Sequence, residues 1–248
     1  MVVDRGGRDL HRALCLQAPL AHQRAIRDFS GNVHHGSAAL EADAGQERVP
    51  GLPRGKGVTR SNSPEQRLNI RVKRVAIVGA ESTGKTTLAQ NLAQHFHTVW
   101  VPEYGREYTE VTVGPEAVFG YQWKTEEFVH IARRQLELED QLAEQANRVL
   151  ICDTDALATA IWHERYMGSK SSEVEDIAAS RSYALYLLTD VDIPFVQDGI
   201  RDGEHLREWM TERFRQELDA RHLPWIFLQG GYDQRFRTAV AAIEKLIS

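Results

Sequence analysis

Val75-Ala76-Ile77-Val78-Gly79-Ala80-Glu81-Ser82-Thr83-Gly84-Lys85-Thr86-Thr87-Leu88 decides how the chain is read. Val75 to Val78 form an unbroken apolar run, which predicts a strand buried on both faces. Beyond it, Leu88, Leu92 and Phe96 recur at helical spacing. The segment between satisfies Gly-x-x-x-x-Gly-Lys-[Ser/Thr] in the context that pattern requires, a strand before it and an amphipathic helix after. Glycines let the backbone wrap a phosphate, and the amides at the helix N-terminus aim donors and a positive dipole at it. Gly79, Ala80, Glu81, Ser82, Thr83, Gly84, Lys85, Thr86 and Thr87 are therefore expected to cradle a nucleotide phosphate chain. With ATP bound, Lys85 reaches the β- and γ-phosphates and the Thr86 hydroxyl ligates Mg²⁺.

Working outward, Val99–Val101, Val149–Cys152, Leu185–Leu188 and Trp225–Leu228 are four further short apolar runs. Helical patterns separate them: Phe128, Ile131, Leu138 and Leu142; Met210, Phe214 and Leu218; Phe236, Val240 and Ile243. Strands alternating with helices predict an α/β fold, a doubly wound five-stranded parallel sheet of P-loop NTPase type over residues 73–248. Residues 1–72 read differently. They hold eight of the 18 glycines and four of the eight prolines. Apart from one possible helical stretch near 13–29, they are expected to be disordered, or else to precede a translation start near Val72.

Charge and cysteine content narrow the class. The net charge of −5 divides into 11 Lys+Arg against 7 Asp+Glu in residues 1–72, and 19 against 28 beyond. An acidic body without a basic patch is a poor nucleic-acid binder. No apolar run approaches the roughly 18 residues of a membrane span, and the charged N-terminus is unlike a signal peptide. Cys15 and Cys152 have no metal-site or disulfide spacing, as expected of a cytoplasmic chain. The sequence carries no signal for oligomeric state.

Two further segments carry chemistry. Val149-Leu150-Ile151-Cys152 runs into Asp153-Thr154-Asp155, placing carboxylates at the C-terminal end of a strand, where open α/β sheets bind ligands. Asp153 is the better candidate for Mg²⁺. Asp155 is a candidate substrate or Mg²⁺-water contact, with an N-cap for a helix from Ala156 as the lesser alternative. After the fourth strand comes Asp190-Val191-Asp192-Ile193-Pro194-Phe195-Val196-Gln197-Asp198-Gly199-Ile200-Arg201-Asp202-Gly203. Arg201 there is either a lid arginine that stabilises charge on a transferring phosphoryl group or the partner of a neighbouring aspartate. Neither Asn-Lys-x-Asp nor a downstream Asp-x-x-Gly switch occurs, which disfavours a GTPase switch.

Together, residues 75–88, Trp100-Val101-Pro102-Glu103-Tyr104-Gly105-Arg106-Glu107-Tyr108, residues 151–156 and Leu187–Gly203 resemble the kinase domain of NadR-type ribosylnicotinamide kinases. The resemblance implies ATP- and Mg²⁺-dependent phosphorylation of nicotinamide riboside at its 5′-hydroxyl. It also implies a carboxylate base after the second strand, Glu103, with Asp153 as the competing candidate. The pyridinium of such a substrate suits an aromatic and acidic pocket. Glu103, Tyr104, Tyr108 and Trp123 are the residues expected to form it, although Tyr108 and Trp123 read equally as ordinary core or surface aromatics. Longer members of the family carry an upstream adenylyltransferase domain. Residues 1–72 hold no His-x-Gly-His, since Val33-His34-His35-Gly36 has the wrong spacing, so a kinase without adenylyl transfer or repressor activity is expected. Removal of residues 1–71 is expected to leave a folded protein with undiminished catalytic turnover. Insolubility or inactivity of the shortened chain, with the full chain active, would place that segment within the fold.

Overall fold

The structure is a computed structural model and describes residues 72–114, 120–199, 201 and 203–248. The expectations for residues 1–71 lie outside the described residues, as do Ile200 and Asp202 of the loop after the fourth strand. Strand β1, Lys73–Val78, is the centre of the architecture, and Val75 to Val78 are fully buried. Burying side chains of this size stabilises by roughly 1.5–3 kcal/mol each, which explains why the run is apolar on both faces. The other strands are β2 (Trp100–Val101), β3 (Val149–Asp153), β4 (Leu185–Thr189) and β5 (Trp225–Leu228). They pair in parallel in the order β2-β3-β1-β4-β5.

Helix α1 (Lys85–His95) follows the phosphate loop, and α2 (Tyr104–Tyr108) follows β2 and runs on into a π-helical turn, Thr109–Val113. Next come α3 (Thr125–Ala143), α4 (Ala156–Met167), α5 (Ser172–Ala179), α6 (Arg207–Ala220) and α7 (Tyr232–Ile247). Side chains alternate across the strands, so each sheet face has its own core. Val75, Ile77, Val149, Ile151, Leu185 and Leu187 meet α1 and α7. Ala76, Val78, Leu150, Cys152, Tyr186 and Leu188 meet α3 to α6. Among the described residues, no helix is long and apolar enough to cross a membrane.

All five expected strands are present within a residue or two, but two helix faces differ from the apolar periodicity. On α3 the buried stripe runs Phe128, Ile131, Gln135, Glu139, while Leu138 and Leu142 are only partly buried. On α7 it runs Arg235, Ala239, Ile243, with Phe236 and Val240 half-covered. Each buried polar group has work to do there. Arg235 donates to the carbonyls of Thr83 (2.9 Å), Gly230 (2.8 Å) and Asp190 (3.1 Å) and pairs with Asp192. Glu139 accepts from the Tyr183 hydroxyl at 2.6 Å, and burial pushes its carboxyl up to about 8.

The position of β1 dictates where a ligand binds. Ile77 pairs with Asp153 of β3 on one side and Leu187 of β4 on the other. The chain crosses from β3 past β1 to β4, so the crevice at their C-terminal ends lies at the switch in strand order. Gly79 makes the exit from β1 possible: its φ is 144°, and a Cβ there would lie 2.3 Å from Thr189 Oγ1 and 2.9 Å from the Thr189 carbonyl oxygen. Gly79→Ala is expected to lower the unfolding free energy by at least about 2 kcal/mol, read as a shifted urea midpoint at unchanged slope.

Candidate active site

The phosphate loop is held from behind and leaves its front free. Thr83 Oγ1 lies 2.9 Å from the Ala80 carbonyl oxygen and 2.7 Å from Thr189 Oγ1, which lies 3.2 Å from the Val78 carbonyl oxygen, so one hydroxyl donates to the other and the second donates to its carbonyl. Ser82 takes φ 55° and Gly84 φ 81°, left-handed geometry that turns the loop into α1. Gly84 caps α1 without a side-chain bond, so the first-turn amides have no intrahelical acceptor and point outward. Lys85 Nζ lies back on the Ala80 carbonyl at 2.8 Å, at the rim of the concavity.

The segment after β4 straps over this loop. Val196 N–H donates to Ser82 Oγ (2.8 Å), Gly203 N–H donates to Glu81 Oε2 (2.9 Å), and Arg207 donates to the carbonyls of Ser82 (3.3 Å) and Ile193 (3.0 Å). Glu81 also faces Arg165 of α4 at 3.8 Å. Arg201 donates to the Val196 carbonyl (2.6 Å) and pairs with Asp198 (3.1 Å), whose carboxylate also pairs with Arg106 of α2 (2.8 Å). Arg201 is thus ion-paired to an aspartate, as one of the two readings had it, and it also lines the cleft.

That cleft encloses about 1140 Å³ counting the open solvent at its mouth. One end is the phosphate loop from Glu81 to Thr87. Gly79 and Ala80 lie beneath it, packed toward β4, rather than on its wall. The other end is aromatic, with Trp123, Phe128, Trp162 and Tyr166. Glu103 stands between them at the start of α2. It occupies the N-cap position, yet its carboxylate makes no capping bond and has no hydrogen-bond or ion-pair partner among the described residues.

Asp153 ends β3, is 1% exposed, and accepts the Thr86 hydroxyl on Oδ2 at 2.5 Å. Its Oδ1 is buried without a partner. Burial, then the negative Glu103 nearby, push its carboxyl up to about 6, against the opposing pull of Lys85. Asp155 departs from the substrate-contact reading. It is 1% exposed, accepts from Ala158 N–H (2.9 Å) and from the Tyr186 hydroxyl (3.0 Å), and so caps α4 instead of lining the cleft. Tyr104 and Tyr108 also stand behind the wall. Tyr104 OH meets His130 (3.0 Å), and Tyr108 OH donates to Glu127 (3.0 Å). Of the expected aromatics only Trp123 reaches the cleft, with Tyr108 packed beside it at 6.4 Å between ring centres.

Several lining residues escaped sequence reasoning. Arg106, Gln135, Trp162 and Tyr166 come from helices whose apolar rhythm says nothing of which face meets a cleft. Gln135 had one signal, a polar residue at helical spacing from Phe128 and Ile131. The donor set fits Mg²⁺, a hard cation that keeps waters and phosphate oxygens as most of its ligands. The Thr86 hydroxyl and the unpartnered Asp153 oxygen supply two oxygens at the loop. No group of three or more His, Cys, Asp or Glu side chains among the described residues could hold a metal unaided.

A parallel sheet in this order, a phosphate loop leaving its central strand, and aromatic side chains lining the same cleft as that loop define a nucleotide-binding P-loop protein with a nucleoside-kinase-like fold. The chain belongs to the AAA-domain family, whose model matches residues 74–235. It is homologous to the trifunctional NAD biosynthesis/regulator protein NadR of Escherichia coli (strain K12), 28% identical over 179 residues, which is 71% of this chain and 43% of that protein. The match thus spans less than half of that relative. A crystal structure of a NadR protein in complex with NR superposes with a TM-score of 0.55 at 25% identity, over 71% of this chain and 52% of the other. Thymidylate kinase from Candida albicans shares the fold alone, with a TM-score of 0.52 at 14% identity over 71% of this chain and 92% of its own. Lys85→Ala is expected to weaken binding of a non-hydrolysable ATP analogue by at least about tenfold, or ~1.4 kcal/mol, in a calorimetric titration, with little change in Tm.

Proposed function

We propose that this chain is an ATP-dependent kinase that phosphorylates nicotinamide riboside on its 5′-hydroxyl, giving nicotinamide mononucleotide and ADP. One observation carries the reading: a single cleft joins the phosphate loop to an aromatic pocket, and the unpartnered carboxylate of Glu103 stands at the junction. The homology to NadR, and the NadR structure holding NR, support the choice of nucleoside.

The loop amides and Lys85 hold the β- and γ-phosphates, and the dipole of α1 favours the charge they bring. Thr86 and Asp153 would hold Mg²⁺, which would supply positive charge against the phosphate chain. Arg201 and Arg106, both on the cleft wall, stabilise the charge that spreads over the equatorial oxygens of the transferring group. The 5′-oxygen attacks the γ-phosphorus as the bond to the β,γ-bridging oxygen breaks. Its proton passes to Glu103, the carboxylate with no competing partner. Asp153 suits that role less, since it is buried and one oxygen is committed to Thr86. The rings of Trp123, Phe128, Trp162 and Tyr166 suit the flat cationic base, an attraction worth about 2 kcal/mol when desolvated.

The test is a substrate panel on the purified full chain with ATP and Mg²⁺. Nicotinamide riboside is expected to exceed uridine and cytidine by at least about tenfold in kcat/KM, and mass spectrometry to identify the mononucleotide. Glu103→Gln is expected to lower kcat about 10²-fold with little change in affinity for the riboside. Equal turnover of uridine would replace this substrate by a broader nucleoside range. Full activity in Glu103→Gln would move the base to Asp153.

A further inference from the structure

Gln135 is 2% exposed, on a helix face that otherwise buries Phe128, Ile131 and Ala132. Its Oε1 accepts the Tyr104 backbone N–H at 2.9 Å. That bond fixes which way the amide faces, because a flipped side chain would set an NH₂ group against an N–H donor. The Nε2 group is then directed elsewhere, and it is buried with no partner although the residue lines the cleft. Trp123 Nε1 is also buried and unpartnered, on a residue that lines the same cleft. An indole N–H can only donate, and so can Nε2 of an amide whose oxygen is already engaged. Buried donors are left unpaired at a cost in stability, and these two, unlike the other unpartnered donors among the described residues, belong to side chains that line the cleft, where a ligand acceptor can meet them.

We propose that Gln135, assisted by Trp123 Nε1, reads a carbonyl or carboxylate oxygen on the base of the acceptor nucleoside. This rests on the kinase reading above and deepens it: stacking and charge admit a flat cationic ring, and Gln135 selects a ring that presents an acceptor. Stacking alone is indifferent to ring substituents, whereas a buried donor left unpaired penalises every ring that lacks one. The fixed amide also excludes bases that present an exocyclic amine at that point, since two donors would face each other. Nicotinamide and nicotinic acid ribosides both satisfy the geometry, through a carboxamide oxygen and a carboxylate oxygen respectively.

Pyridinium riboside, which has the same ring charge and no carbonyl, separates the two contributions. Wild-type full chain is expected to use nicotinamide riboside at least about tenfold better than pyridinium riboside in kcat/KM, with nicotinic acid riboside above pyridinium riboside as well. Gln135→Met is expected to erase the ratio between nicotinamide riboside and pyridinium riboside, on top of any loss the two share from the Tyr104 N–H left unpaired. Equal use of nicotinamide and pyridinium ribosides by the wild type would overturn the inference without need of any variant. A loss in Gln135→Met that is equal for both ribosides would overturn it too, reducing Gln135 to a support for α2 through Tyr104. Quenching of tryptophan fluorescence gives the affinities apart from turnover. A binding preference without phosphorylation would defeat the kinase reading and uphold this one, and absence of both would defeat the two together.

Discussion

The structure depends on holding the phosphate loop by its carbonyls and side chains. A loop that is to bind phosphate with its amides cannot spend those amides on its own folding, so its shape has to come from its carbonyls and its few side chains. Thr189 on the neighbouring strand reaches both Val78 and Thr83, Arg235 takes the Thr83 carbonyl from α7, and Arg207 takes the Ser82 carbonyl from α6. Two buried guanidinium groups at loop carbonyls are an uncommon use of charge. Both have their cationic form disfavoured by burial, and the carbonyl bonds, with Asp192 for Arg235, are what offset that loss.

From that anchoring follows the polarity of the whole cleft. Basic groups and helix amides gather at one end, aromatic faces at the other, and the carboxylates of Glu103 and Asp153 stand between. Asp153 shows the physical tension most directly: burial and the Glu103 charge disfavour its ionised form, while Lys85 and the Thr86 hydroxyl favour it. A cation beside its unpartnered oxygen would tip that balance. The strap after β4 adds a second tie, because Asp198 shares its carboxylate between Arg106 on the acceptor side and Arg201 over the phosphate loop. Both arginines are therefore held beside the cleft by one counter-charge.

The unpartnered buried atoms around the cleft belong to the same design. Asp153 Oδ1, Trp123 Nε1 and Gln135 Nε2 each forgo a hydrogen bond that folding alone would favour. Contrast Asp155, an equally buried carboxylate a short way off, whose two oxygens accept from the Ala158 N–H and the Tyr186 hydroxyl. Asp155 belongs to the packing of α4 and β4, whereas Gln135 and Trp123 line the cleft and Asp153 ends β3 beside Thr86.

What the sequence determined by itself were features written in contiguous residues. The run from Val75 to Leu88 sets a strand, a phosphate loop and a helix in fixed succession, and each further strand is a local apolar run. A parallel order around β1 follows, because helical crossovers leave few other ways to cover both faces. Glu103 and Asp153 were legible for the same reason, standing immediately after strands whose C-terminal ends meet the ligand. Tertiary structure alone decided which faces of the helices meet the cleft. Gln135 and Glu139 continue one stripe of α3, yet one opens on the ligand space and the other on Tyr183. Tyr104, Tyr108 and Asp155 have the chemistry of binding residues, but His130, Glu127 and the first turn of α4 claim them. Periodicity records how strongly a side chain avoids water. It does not record whether the neighbour that replaces water is another side chain or a substrate, and that is settled only when distant segments are packed together.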